Sequence, residues 1–313
     1  MRVFVAGGTG AIGRHLIPAL IADGHQVTAS TRSASKSADL VAAGAAPVVM
    51  DGLDRDAVLA AVQKAAPEVI VHQMTALSDL KDFSKFDQEF AVTNELRTRG
   101  MDYLLEAARL AGTRRLIAQS FTGFTNEYAG TLVKTEDDPL NPEPPASARQ
   151  TQAAIRHVEE TVPGGVPEGI VLRYGVLYGH GAADSILAAV RAGMFPVIGG
   201  GTGIWSFTET IDAAAAAAIA VTRGAPGIYN IVDDEPAPAA QWLPFLARCL
   251  GAEAPQEIPV SLGRELAGEF LAAQMTIGRG ASNAKAKREL SWAPRYASWR
   301  DGFPEWASPR NEG

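Results

Sequence analysis

A chain of 313 residues with a formal net charge of −7 lacks the basic surface that a nucleic-acid partner requires. Hydrophobic residues make up 47% of it and charged residues 20%, which is the balance of a folded globular protein rather than a disordered one. A single cysteine, Cys249, excludes an intramolecular disulfide and is expected to be buried rather than nucleophilic. The apolar run "IDAAAAAAIAV" is too short to cross a bilayer, so no membrane partner is expected.

The N-terminal segment predicts a strand, a turn and a helix. Met1 and Arg2 run directly into the strand "VFVAG", without the regions of a secretory signal, and we therefore expect a cytoplasmic protein. In the following helix Ile12, Leu16 and Leu20 recur every four residues, and Gly24 is expected to end it.

Strands then alternate with helices over the first half of the chain. The strands are predicted in "HQVTAST", "PVVMD", "EVIVHQM", "RRLIAQS" and "IVLRYG", and the helices near Asp54 and from about Asn94 to Gly112. Strands that are apolar on both faces belong to a parallel sheet covered by helices on each side. The prediction is an α/β fold with a Rossmann-type doubly wound parallel sheet.

This alternation weakens after Gly179 and returns only in "GIYNIVDD". We therefore expect a Rossmann domain over 1–174, joined by a strand near 228–232, and a smaller lobe formed mainly by 175–313. The proline-rich stretch 136–150 is expected to be a surface loop that borders the site. No metal-ligand spacing is present, so no metal is expected, and a homodimer stays open.

Three glycines carry the first functional signal. Gly7, Gly10 and Gly13 stand three residues apart, directly after a strand and at the start of a helix. In a dinucleotide turn such glycines permit the turn, the approach of a pyrophosphate and the packing of helix on strand. The helix N-terminus then offers free N–H groups to the phosphates. The alternative is a plain glycine-rich turn.

The end of the second strand predicts the cofactor. An NAD site places an acidic side chain there for the ribose 2′-hydroxyl, whereas a 2′-phosphate needs a cation. Here Thr31 and Arg32 replace the acid, and Ser33 and Lys36 follow. An arginine fork suits a phosphate, so NADP(H) is preferred and NAD(H) is the alternative.

The turn "GGTGAIG" resembles that of the short-chain dehydrogenase/reductase superfamily, and nearly the whole chain resembles its extended members, the NAD(P)-dependent epimerase/dehydratase family. The segments "MDGLD", "HQMTAL", "IAQSFTGF", "LRYGVLYGHG" and "SNAKAKRELSWAPRYASWRDGF" carry this resemblance. With the glycine turn and Arg32, it implies the following cofactor-binding residues: Gly7, Thr9, Gly10, Ala11, Ile12, Gly13, Arg32, Ser33, Asp51, Gly52, Leu53, Gln73, Met74, Thr75, Asn94, Ser120, Tyr174, Gly175 and Val176.

The resemblance also places Ser120 at the family's catalytic serine or threonine. The family's proton donor is a tyrosine with a lysine four residues later, and no tyrosine of this chain has a lysine at that spacing. The nearest matches are Thr151 and Ile155. Tyr128 and Tyr174 are therefore the candidate catalytic proton donors beside Ser120, with Tyr178 a further possibility.

Two strand residues invite a catalytic interpretation but have a simpler one. His72 and Arg173 lie in apolar strands, where a core histidine and a structural hydrogen-bond network are the expected outcomes.

Three functions follow. The first is an NADP(H)-dependent oxidoreductase acting on a small or moderately apolar carbonyl or alcohol substrate, with an atypical proton donor. The second is an epimerase, isomerase or lyase that holds its nucleotide tightly. The third is a non-catalytic nucleotide-binding sensor, for which the missing tyrosine and lysine are the main support.

Overall fold

A computed structural model describes residues 1–77, 82–123 and 125–308. Its strands are β1 (Arg2–Ala6), β2 (Gln26–Thr31), β3 (Ala46–Val49), β4 (Val69–His72), β5 (Arg115–Phe121), β6 (Val133–Lys134), β7 (Glu168–Tyr174), β8 (Val176–Tyr178), β9 (Val197–Ile198), β10 (Ile204–Trp205), β11 (Phe207–Glu209), β12 (Gly227–Ile231), β13 (Ala237–Pro238), β14 (Glu257–Ile258) and β15 (Gly280–Ala281). Its α-helices are α1 (Gly13–Ala22), α2 (Ser37–Ala42), α3 (Arg55–Ala65), α4 (Phe86–Glu89), α5 (Ala91–Glu95), α6 (Met101–Ala111), α7 (Arg149–Thr161), α8 (Asp184–Arg191), α9 (Thr210–Ala220), α10 (Ala239–Cys249), α11 (Val260–Ile277), α12 (Ala284–Leu290) and α13 (Trp299–Ala307). A π-helical turn, Leu96–Gly100, joins α5 to α6.

Seven strands form one parallel sheet in the order β12-β7-β5-β4-β1-β2-β3. The strand order reverses between β1 and β4, because the chain builds outward to β3 first and then in the opposite direction. This confirms the predicted doubly wound parallel sheet. Ligands of such sheets bind outside the carboxyl ends of the strands at the point of reversal.

The sheet is apolar on both faces. Val5 and Val71 pack on one face in a core that includes residues of α1 and α9. Phe4 and Ile70 project to the other face, into a core formed with α3 and α6. Since both faces exclude water, the strands read as continuous apolar runs in the sequence.

The C-terminal lobe has its own aromatic core, in which Tyr178, Trp242 and Phe303 are buried. Helix α9, within the stretch 175–313 that was expected to form mainly the lobe, lies outside this lobe core and packs against α1. Its alanine side chains allow two helices to approach closely. The division into domains at residue 174 stays a prediction.

A buried ionic network fixes α7 to the sheet. Arg173 donates to both carboxylate oxygens of Glu159, from Nε and Nη2, each at 2.7 Å. The Ser120 hydroxyl donates to Glu159 Oε1 at 2.8 Å. Both charged side chains are only 4% exposed. Three elements, β5, β7 and α7, thus meet at one carboxylate, and Arg173 has the structural role that the sequence favoured.

Replacing Glu159 with glutamine should destabilise the fold strongly. The substitution leaves the buried Arg173 cation without its counter-charge, which typically costs about 3–5 kcal/mol. Urea unfolding measures the loss, and Glu160→Gln is the matched control because Glu160 is exposed on the same helix. Equal stability of the two variants would show that Glu159 does not hold α7 on the sheet.

Candidate active site

The glycine turn brings backbone very close to backbone. Gly7 has φ +92°, and a Cβ there would lie 2.8 Å from the backbone of Gln73. A Cβ on Gly13 would lie 2.3 Å from the carbonyl oxygen of Gly8, so α1 packs directly on the turn. Helix α1 has no side-chain cap at Ile12 and no acidic residue in its first turn. Its N-terminal N–H groups and positive dipole therefore fit the pyrophosphate of a dinucleotide.

Two cations lie at the end of this cleft beyond β2. Arg32 and Lys36 are exposed and line the cleft. The hydroxyl of Ser33 forms a hydrogen bond with that of Ser35 at 2.7 Å, and its backbone N–H donates to Thr31 Oγ1 at 3.2 Å. The guanidinium of Arg32 and the ammonium of Lys36 thus lie beyond the end of β2, where an NAD site would have an acidic side chain.

Most of the residues implied by the resemblance line one continuous cleft at the carboxyl edge of the sheet. Those that line it are Gly7, Thr9, Gly10, Ala11, Ile12, Arg32, Gly52, Gln73, Met74, Thr75, Ser120, Tyr174 and Val176. The others lie beneath or beside it. These are Gly13, Ser33, Asp51, Leu53, Asn94 and Gly175. Asp51 is exposed and caps its own turn, accepting from the N–H of Leu53 at 3.0 Å.

At the other end of the cleft two polar side chains are bonded to each other. Gln73 Nε2 donates to the hydroxyl oxygen of Tyr174 at 3.0 Å. Tyr174 is 1% exposed, and burial raises the pKa of its phenol well above the ordinary value. Tyr174 can therefore donate a hydrogen bond into the cleft but is a poor proton donor near neutral pH.

The hydroxyl of Ser120 is committed to the network described above. Ser120 borders the cleft, yet its hydrogen is donated to the buried Glu159 carboxylate. Its role as a proton donor to substrate stays a prediction, and the geometry gives the hydroxyl another partner.

Thr151 and Ile155, the nearest sequence matches to the family's tyrosine and lysine, are both buried on α7. The hydroxyl of Thr151 donates to Asp87 Oδ1 at 2.7 Å and accepts from Asn94 Nδ2 at 3.0 Å. Ile155 is fully buried in an apolar cluster with Phe86 and Phe270. The two nearest matches are therefore a hydrogen-bonded hydroxyl and an aliphatic side chain, and the absence of the family's pair stays a prediction.

Tyr128 lies elsewhere. It lines a second cavity with Asn141 and Arg264, and it is not among the side chains that line the cleft at the carboxyl edge of the sheet. Helix α11 forms a wall of both cavities, with Leu271 towards the cleft and Ala272 towards the second cavity. This position does not favour Tyr128 as a proton donor. Tyr178 is also remote, buried in the lobe core against the backbone of Gly302.

The sequence did not single out the aromatic side chains and the buried cation of the cleft. Phe86, Phe90 and Phe270 stack, with ring centroids 4.3 Å apart for the first pair and 3.9 Å for Phe86 and Phe270. Arg97, in the π-helical turn, lies 6.0 Å from the centroid of Phe90. A signal for Arg97 was present, since it stands four residues before Met101, on the apolar face of the helix.

The charges of the cleft have one sign. Within 1–77, 82–123 and 125–308, the lining side chains include Arg32, Lys36 and Arg97 but no aspartate or glutamate. His72 adds no charge at neutral pH, because burial, followed by the positive charge of Arg97, lowers its pKa to about 3. The cleft therefore favours anionic ligands.

A doubly wound sheet with a glycine turn and an electropositive cleft at its reversal point defines a nucleotide-binding protein of the Rossmann class. A sequence profile of the NAD dependent epimerase/dehydratase family matches residues 3–232, and the chain belongs to this family. This confirms the resemblance, and the chain is an NAD(P)-dependent enzyme. In the described residues no helix is long and apolar enough to cross a membrane.

Individual relatives extend the likeness over the whole chain. A 3-diazoavenalumate denitrifying reductase from a Streptomyces species is 48% identical over 312 residues, which cover 97% of this chain and 99% of that protein. A 4-hydroxy-2-methyl-3-oxo-4-farnesyl-3,4-dihydroquinoline-1-oxide ketoreductase from Stigmatella aurantiaca is 28% identical, covering 94% and 92%. The structure of human epimerase family protein SDR39U1 with NADPH has a TM-score of 0.74 at 20% identity, covering 98% and 99%. These relatives support oxidoreductase activity in general terms.

The stability of the protein should depend on His72 in mild acid. Because the folded-state pKa lies below the unfolded value of about 6.5, the stabilisation is present above pH 6.5 and is lost as the pH falls towards 3. Between pH 7 and pH 5 the loss should be about 2 kcal/mol. His72→Phe should remove this part of the pH dependence of urea unfolding. The exposed His180, changed to glutamine, is the control, and an unchanged slope for His72→Phe would contradict the assignment.

Proposed function

We propose that this protein is an NADPH-dependent reductase that removes a diazo group from a small organic substrate as N₂. The relative at 48% identity, a denitrifying reductase of a diazo compound, supports this chemistry. The single observation that carries the proposal is the absence, from the described residues that line the cleft, of a side chain suited to protonate a carbonyl oxygen.

The two chemistries differ in their demand for a proton donor. Hydride addition to a carbonyl leaves an alkoxide, which an acid must neutralise. A diazonium ion, R–N₂⁺, that accepts a hydride becomes the neutral diazene R–N=NH. Loss of N₂ then breaks the C–N bond, and the N–H hydrogen passes to carbon as a proton, directly or through water, to give R–H. No group of the enzyme has to supply an acid.

The bound nicotinamide would supply the hydride, and the chain's own residues bind and orient. The glycine turn and the N-terminus of α1 hold the pyrophosphate. Arg32 and Lys36 hold the 2′-phosphate. Gln73 and Tyr174 form the polar wall at the nicotinamide end, and the three stacked phenylalanine rings give an apolar wall that limits water.

Carbonyl reduction is the second candidate, because the Tyr174 hydroxyl borders the cleft and could donate to a substrate oxygen. The ketoreductase relative supports this alternative.

Changing Arg32 to glutamine should weaken NADPH binding and leave NADH binding nearly unchanged. A guanidinium fork that holds a phosphate typically contributes about 1.5–3 kcal/mol, so the dissociation constant for NADPH should rise roughly tenfold to a hundredfold. Fluorescence titration measures both cofactors. Arg223→Gln, an exposed position with the same charge change, is the control. Equal weakening for both cofactors would exclude recognition of the 2′-phosphate by Arg32.

The proposed reaction can be measured with diazotised 3-amino-4-hydroxybenzoate, in which the ring oxygen stabilises the diazo group in water. We expect one N₂ released and one 4-hydroxybenzoate formed for each NADPH oxidised. Mass spectrometry of ¹⁵N-labelled substrate measures the N₂ released, and absorbance measures the NADPH oxidised. A panel of aromatic ketones is the comparison. Turnover of ketones without turnover of the diazo compound would replace the proposal with carbonyl reduction.

Tyr174→Phe separates the two mechanisms further. It removes the phenol hydroxyl but keeps the ring in place. With a diazo substrate, kcat should stay within about threefold of wild type because no acid is required. If Tyr174 serves as the acid, kcat should fall on the order of a hundredfold.

A further inference from the structure

Within residues 1–77, 82–123 and 125–308, Arg97 is a buried cation with no ion-pair partner. It is 4% exposed, and its Nε and Nη1 atoms have no hydrogen-bond partner among these residues. Among the described residues, the acid whose charge acts on it is Glu159, whose two oxygens already accept from Arg173 and Ser120. Burial lowers the pKa of Arg97 only to about 10, so it stays charged at neutral pH. A buried charge in this state costs stability.

The guanidinium borders the cleft rather than a closed core. Arg97 is among the side chains that line the cofactor cleft, together with Phe86, Phe90 and Phe270. The segment that carries it, Leu96–Gly100, is π-helical, a conformation found frequently at functional sites. The irregular turn and the unpaired charge thus coincide at one position of the cleft wall.

The neighbouring side chains are suited to a flat ring. Phe90 stacks on Phe86, which stacks on Phe270, and Arg97 lies beside the first of these rings. Stacked phenyl rings favour aromatic ligands, and a guanidinium binds a carboxylate through two parallel hydrogen bonds. The same part of the cleft therefore combines a surface for a ring and a partner for an anion.

We propose that Arg97 binds the carboxylate of an aromatic acid whose ring packs on the Phe86–Phe90–Phe270 wall. This names the substrate class of the proposed reductase and rests on that function only for the identity of the reacting group. Arg97 would be a specificity-determining residue that selects carboxylates over neutral aromatic compounds.

Binding of 4-hydroxybenzoate and of its neutral analogue 4-hydroxybenzamide to the NADP⁺-loaded protein tests the proposal by calorimetry. Wild type should bind the acid about tenfold more tightly than the amide, or better, since one charge-assisted pair is lost in the amide. Arg97→Met should abolish this difference and Arg97→Lys should retain part of it. Arg99→Met, in the same turn but exposed and in contact with Tyr103 and Glu95, should leave it unchanged.

Two further readouts exclude other roles of Arg97. If it serves the ligand alone, Arg97→Met should keep the affinity for NADP⁺ and should not lower the melting temperature, because it removes an uncompensated buried charge. A parallel loss of NADP⁺ affinity would assign Arg97 to the cofactor, and a melting temperature lower by several degrees would assign it to the fold. Equal wild-type affinities for acid and amide would also overturn the proposal.

The outcome is independent of the proposed reaction. Discrimination between acid and amide, without N₂ release from diazotised 3-amino-4-hydroxybenzoate, would retain the carboxylate site and reject the diazo chemistry. N₂ release at equal rates from the diazotised acid and the diazotised amide would retain the diazo chemistry and reject the carboxylate site.

Discussion

The carboxylate of Glu159 is the interaction on which the geometry of the cleft depends. It lies where α7, β5 and β7 meet, and it accepts three hydrogen bonds in a space from which water is excluded. An ionised carboxylate in such a place is stable only with a full set of donors. That requirement fixes the side chain of Ser120 and the end of β5. It therefore also fixes which groups at the carboxyl edge remain available to a ligand.

The contrast between Arg173 and Arg97 shows how the fold distributes buried charge. Both guanidiniums are almost inaccessible to solvent, 3% and 4% exposed, and both are influenced by Glu159. Arg173 forms two hydrogen bonds with the Glu159 carboxylate. Arg97 interacts with Glu159 only through longer-range electrostatics. Local sequence preference cannot explain an arginine at an apolar helical position that has no ion-pair partner among the described residues. A binding function for an arginine that lines the cleft can explain it, since natural proteins depart from local rules mainly at functional sites.

The sequence predicted the sheet because its signals are local. "VFVAG" is apolar throughout and "IVLRYG" is interrupted only by Arg173, a pattern typical of strands covered on both faces. The glycine spacing at Gly7 is a local requirement of the turn. The placement of Tyr128 and of α9 was not predictable in this way. Tyr128 lines a cavity bordered by a loop, α7 and α11, and α11 begins more than 130 residues later in the chain. Helix α9 packs on α1 from more than 180 residues away. Contacts of that kind depend on tertiary packing, and the residue pattern of a single segment does not reveal which distant segment it contacts.

The titratable groups around the cleft follow one trend, which bears on the chemistry it can support. His72 is kept neutral by burial, the phenol of Tyr174 is made a weaker acid, and the hydroxyl of Ser120 is held by a carboxylate. Ile155, the nearest match to the family's lysine, is fully buried and aliphatic. None of these groups is suited to transfer a proton, whereas the cationic side chains of Arg32, Lys36 and Arg97 line the cleft. A site of this composition holds anions in place and moves few protons. The proposed reduction of a diazo group fits such a site better than carbonyl reduction, because hydride addition to R–N₂⁺ leaves no alkoxide to be protonated.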